Sequence, residues 1–113
     1  MNLYDLFEAT EWKTYPGVFP DGDLKLSFHF DRDRRVERDI DMEHILDMCH
    51  RAARQWPEKL QEIHDETFVI QDWDDFGVAL IKREVAQGRY DYIVKTARAD
   101  LRIGYDQLVI KLR

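Results

Sequence analysis

A helical period in the middle of the chain, followed by four strand-like stretches separated by turn residues, predicts an α+β domain. The expected architecture is an antiparallel β-sheet of four to five strands. One main amphipathic helix, at about residues 42–56, packs on one face, and a short helix precedes the sheet near the N-terminus. With 113 residues, 44% apolar and 35% charged, residues 1–113 read as one domain able to bury its own core.

Taken in order, Leu3, Leu6 and Phe7 fall at helical spacing and predict a short helix over residues 2–9. The stretch Thr14 to Gly22 holds Pro16, Gly17, Pro20 and Gly22 and reads as a loop. Leu24, Leu26, Phe28 and Phe30 then alternate with Lys25, Ser27 and His29, the period of a strand with one buried face. Met42, Ile45, Leu46, Cys49, Ala52, Ala53 and Trp56 form a single apolar stripe, the clearest helix in the chain. Asp41 is placed to cap it, and Ile40 to pack on Ile45 as a hydrophobic staple. Pro57 stops the stripe and can open a further turn or two over PEKLQEIH. Thr67–Gln71, Gly77–Val85, Tyr90–Ala97 and Gln107–Leu112 are rich in β-branched and aromatic residues and predict strands. The residues between Asp72 and Gly77, and Ala86-Gln87-Gly88, are natural hairpin turns. Asp100 to Asp106 is a connection without a pattern of its own.

Charge is segmented. The net charge is −6, yet residues 1–31 sum to −4, 32–54 to 0, 55–76 to −6 and 77–113 to +4. The overall sign argues against a general nucleic-acid binder, while a basic last third leaves room for a local positive patch. One cysteine excludes an internal disulfide. No apolar run approaches the roughly 20 residues of a membrane span, and the N-terminal residues are acidic where a targeting peptide is basic. The expected location is cytoplasmic.

Three constellations carry chemistry. Residues 30–39, FDRDRRVERD, hold four arginines next to a strand end. In one reading each is answered by a neighbouring acid on a solvated turn. In the other, Arg34 and Arg38, one helical turn apart, present two guanidinium forks to a phosphate. Of the four histidines, His29 leaves a strand beside these arginines, and His44 sits in the first helical turn, where the helix dipole favours the uncharged ring. Either could act as general base on a ribose hydroxyl, or be an ordinary surface side chain. No histidine pair has a metal-ligand spacing, so neither metal nor cofactor is expected. Cys49, inside the apolar stripe, reads as packing. The second constellation is Lys95, Thr96, Arg98 and Arg102, which follow Tyr90 and Tyr92 and suit stacked bases and phosphates. The third is the acidic turn Asp72, Asp74 and Asp75, most simply a hairpin but also a surface for a basic partner.

A strand ending near a histidine, two arginines four residues apart, an isoleucine shortly before a helix, and antiparallel strands with a Val-x-Thr signature follow one another here. Arg34, Arg38, Ile40, Ile45 and Val94-Lys95-Thr96 carry that pattern. Over about residues 24–98 the chain resembles a small domain family grouped with the barnase–EndoU–colicin–RelE type of toxins and nucleases. The family histidine would fall on Phe30, whereas this chain has His29, on the other face of a regular strand. The resemblance implies an RNase-like or toxin-like domain, of the kind found in phage and mobile elements, cleaving RNA phosphodiesters without metal. His29 or His44 would be the base, and Arg34 and Arg38 would stabilise the phosphorane. The alternative is a small acidic binding protein without catalytic activity, such as a phage-type inhibitor, immunity protein or adaptor. Its surface over residues 55–76 would meet a basic protein partner.

Overall fold

The computed structural model describes residues 12–27, 40–72, 75–104 and 106–113. Within them lie strands β1 (Trp12–Phe19) and β2 (Gly22–Ser27), helices α1 (Met42–Gln55) and α2 (Pro57–Glu62), and strands β3 (Thr67–Gln71), β4 (Phe76–Ala86), β5 (Arg89–Ala99) and β6 (Leu108–Lys111). The fold is α+β. The expected helix at 2–9 and the end of the predicted strand, residues 28–30, lie outside the described residues.

The strands form one six-stranded sheet in the order β1-β2-β5-β4-β3-β6. This corrects the antiparallel sheet of four to five strands. Pairs β1–β2, β3–β4 and β4–β5 are antiparallel, but β2–β5 and β3–β6 run parallel. The sixth strand is β1, where Pro16 and Gly17 predict a loop. Its register slips between Tyr15, opposite Leu24, and Phe19, opposite Gly22, so the edge strand absorbs both residues in an irregularity. Gly17 takes φ +69°, and its N–H donates to Asp23 Oδ1 at 2.9 Å.

The hairpin β1–β2 joins the sheet through β2 and β5, and Gly22 makes that possible. A Cβ there would collide with the Tyr90 carbonyl oxygen. The Tyr90 N–H also donates to the Asp21 carbonyl at 2.9 Å, so the turn and the strand it meets are bonded at the same point.

Both helices lie on one face of the sheet. Helix α1 begins as its sequence predicts, with Asp41 accepting from the Glu43 N–H at 3.0 Å and Ile40 buried below. Its buried residues are Ile45, Met48, Cys49 and Ala52, while Met42, Leu46, Ala53 and Trp56 pack at the margin. The core opposite them comprises Leu24, Leu26, Phe68, Ile70, Val78, Leu80, Tyr92, Val94 and Ile110. These side chains come from five strands at two-residue spacing. Among the described residues, no helix is long and apolar enough to cross a membrane.

One ammonium is buried with them. Lys82, fully enclosed, donates to the Leu60 carbonyl at 2.7 Å and lies 3.3 Å from Asp21 Oδ2. The Tyr90 and Tyr92 ring centroids are 4.2 and 5.5 Å away. Tyr92 donates to Asp21 Oδ1 at 2.6 Å and stacks on Phe19 at 3.7 Å. The lysine thereby ties α2, the β1–β2 turn and the two central strands together. A buried charge is tolerated only with such partners.

The patternless connection 100–107 is a crossover on the other face. Phe76 and Val78 point to the core, so the Cβ of a residue at Gly77 would point away from it. There it would meet Leu101 at 2.9 Å. The chain then turns back and enters β6 parallel to β3.

Candidate acid–base site

His44 and Asp72 meet at the end of the sheet. Asp72 directly follows β3 and continues the alternation Phe68, Ile70, Asp72, which brings it to the helix-covered face. His44 lies in the first turn of α1, whose start is held by the Asp41 cap. The imidazole Nε2 is 3.0 Å from Asp72 Oδ2. The other carboxylate oxygen, Oδ1, accepts the Phe76 N–H at 3.1 Å, and the Asp72 N–H donates to the Phe76 carbonyl at 3.0 Å. The β3–β4 turn thus clamps the carboxylate. The Phe76 ring closes one side of the imidazole, with centroids 4.9 Å apart and planes at 60°.

Exposure divides the pair: the Asp72 side chain is 9% accessible and that of His44 46%. A carboxylate only accepts, so Nε2 carries the hydrogen and the uncharged ring keeps its lone pair on Nδ1. A buried carboxylate behind a half-exposed imidazole fixes ring orientation and tautomer. It also stabilises the imidazolium formed when the ring takes a proton, which is the division of labour in His–Asp catalytic pairs.

The expected site residues are distributed as follows. His29, Arg34 and Arg38 lie outside the described residues. His44 is paired with Asp72, which the sequence reading assigned to an acidic turn. That turn does not present three carboxylates outward: Asp72 is buried, Asp74 lies outside the described residues, and Asp75 is exposed at φ +59°. The alternation from Phe68 was the signal in the sequence that could have found Asp72.

The basic set is not brought to this pair. Arg98 is exposed opposite Gly77, on the crossover face, and Arg102 is exposed within the crossover itself. Lys95 is exposed where the register slips between Thr96, opposite Ala79, and Val94, opposite Leu80. Thr96 is half-buried. His50 and Arg54 line an open groove of about 520 Å³ with Asp47 and residues Gly17, Val18 and Pro20, against the β1–β2 hairpin. His64 Nδ1 is 3.5 Å from the Tyr90 hydroxyl. Cys49 is fully enclosed, and burial pushes its thiol up to about 12. It packs. Among the described residues, no three His, Cys, Asp or Glu side chains cluster in a way that could hold a metal ion.

Comparison with protein-family models, curated proteins and solved structures finds no match to this chain.

Proposed function

We propose that the chain is an RNase-like or toxin-like domain that cleaves RNA phosphodiesters by acid–base chemistry centred on His44 and Asp72. The observation that supports this reading is the 3.0 Å bond between a buried carboxylate and a half-exposed imidazole. His44 Nδ1 removes the proton of a ribose 2′-hydroxyl. The oxygen attacks the adjacent phosphorus, and the bond to the 5′-oxygen breaks. That oxygen takes a proton back from the imidazolium or from water. The products are a 2′,3′-cyclic phosphate and a free 5′-hydroxyl. Asp72 stabilises the intermediate imidazolium. In sequence Arg34 and Arg38 precede His44 closely, and guanidinium groups of that kind would stabilise the phosphorane.

The test is incubation of purified protein, at high concentration and with EDTA, against a mixed-sequence RNA. Cleavage leaving cyclic phosphate ends is expected. His44→Ala should lower the rate by about 10²–10⁴-fold and Asp72→Asn by at least about tenfold, with unchanged circular dichroism. Intact RNA, or undiminished cleavage by His44→Ala, overturns the reading.

A further inference from the structure

Among the described residues the sheet ends at β1 and at β6, and the two edges are closed in different ways. At β1 the register slip between Tyr15 and Phe19, with Pro16 and Gly17 inside it, breaks the row of outward hydrogen-bonding groups. At β6 the register with β3 runs unbroken from Leu108 to Lys111. The segment Gln107-Leu108-Val109-Ile110-Lys111-Leu112 carries one charge and neither proline nor glycine. Leu108 is 40% exposed. A short apolar strand of this kind at a sheet edge is a template for its own copy.

The register decides which main-chain groups face outward. The Leu112 N–H donates to the Gln71 carbonyl at 2.8 Å, so Leu108, Ile110 and Leu112 turn their N–H and C=O groups toward β3. Val109, Lys111 and Arg113 turn theirs to the free side. Side chains from the end of α1 take them there. Gln55 Oε1 accepts the Arg113 N–H at 2.8 Å, while Gln55 Nε2 donates to the Arg113 carbonyl at 3.3 Å. One amide thus makes both bonds that a neighbouring strand would make to that residue. Arg51 Nη2 donates to the same oxygen at 3.2 Å, and Trp56 Nε1 donates to the Lys111 carbonyl at 2.9 Å. Among the described residues nothing bonds the outward groups of Val109, and one residue's pair of bonds is too weak to hold an incoming strand.

We propose that Gln55 and Trp56 form an edge cap, which keeps β6 from pairing with the β6 of a second copy of this chain. Without the cap, residues 109, 111 and 113 of two copies would meet antiparallel about a two-fold axis. The sheet would then continue from one molecule into the next. The cap is independent of the acid–base pair and stands whether or not the chain cleaves RNA.

Sedimentation velocity of the full chain over a wide concentration range tests this, with Gln55→Ala and Trp56→Phe introduced singly and together. Trp56→Phe keeps an aromatic ring but loses the donor. The double variant should self-associate at least about tenfold more tightly than wild type, the worth of one or two net hydrogen bonds. Each single variant should shift less, in the same direction. Adding Val109→Pro to the double variant should return association to the wild-type level, because proline there removes an outward N–H and no bond to β3. Gly88→Ala, which strains the β4–β5 turn and leaves the cap intact, should sediment as wild type does. Cap variants that associate no more than wild type overturn the proposal. So does association that survives Val109→Pro, or Gly88→Ala associating as strongly as the double variant. Should circular dichroism show the double variant unfolded, the single variants, each with and without Val109→Pro, decide the question.

Discussion

Lys82 shows how much one side chain can organise, because its ammonium has a carbonyl, a carboxylate and two aromatic faces as company. Lys82→Ala removes the charge and leaves a void, and should lower stability by about 3–5 kcal/mol. Lys82→Met keeps the volume but leaves the Leu60 carbonyl with only the Ile63 N–H and Asp21 with the Tyr92 hydroxyl and no cation, and should cost about 1–3 kcal/mol. Urea midpoints of the two variants check the order, and a Lys82→Met protein as stable as wild type would mean the ammonium contributes nothing net. Nothing in the period-two pattern of β4 announces this residue as core, since a lysine at an inward position reads as an interruption. Asp72 was hidden in the same way. An acid after a strand and before Asp74 and Asp75 looks like turn chemistry, and only its place two residues beyond Ile70 hints at an inward direction. His44 was visible from its place in the first helical turn; its partner was not.

At the level of elements, helix α1 was legible because cap, stripe and stop all agree at the residues where they occur. Strands β2 to β6 were legible too, apart from their ends. Direction was not, because alternation of apolar residues carries no information on whether a neighbour runs parallel. Nor was β1 legible, since proline and glycine normally break a strand and only an edge position with a register slip admits them. The parallel joint between β2 and β5 depends on Gly22. Gly22→Ala should destabilise the protein severely, by about 3–5 kcal/mol, because the colliding atom is backbone and cannot move aside. Gly88→Ala, at φ +74° with open space around it, should cost about 1 kcal/mol. Thermal melts of the two variants side by side give the comparison, and near-equal losses would show that the β2–β5 approach is not the constraint.

Across the whole molecule, two core groups set the alkaline limit of stability. Burial raises the Cys49 thiol from 9.0 to about 12. Burial, then the Asp21 hydrogen bond, raises the Tyr92 hydroxyl above its ordinary 10. Both groups hold their protons in the folded state and lose them more readily when unfolded. Their stabilisation is therefore complete below about pH 9 and drains away as pH rises through 9 to 12, by about 1.4 kcal/mol per pH unit for each ionising group. Unfolding monitored by circular dichroism should coincide with tyrosinate absorbance from Tyr92 and with reaction of Cys49 toward a thiol reagent. Thiol labelling well below the transition would contradict a closed core. The route by which the core closes carries a timing consequence. The hairpin that pairs Leu26 with Val94 emerges from the ribosome about 70 residues before its docking strand does. At usual elongation rates that is a delay of roughly 4–14 s, during which β2 offers an unfilled edge to chaperones and to other nascent chains.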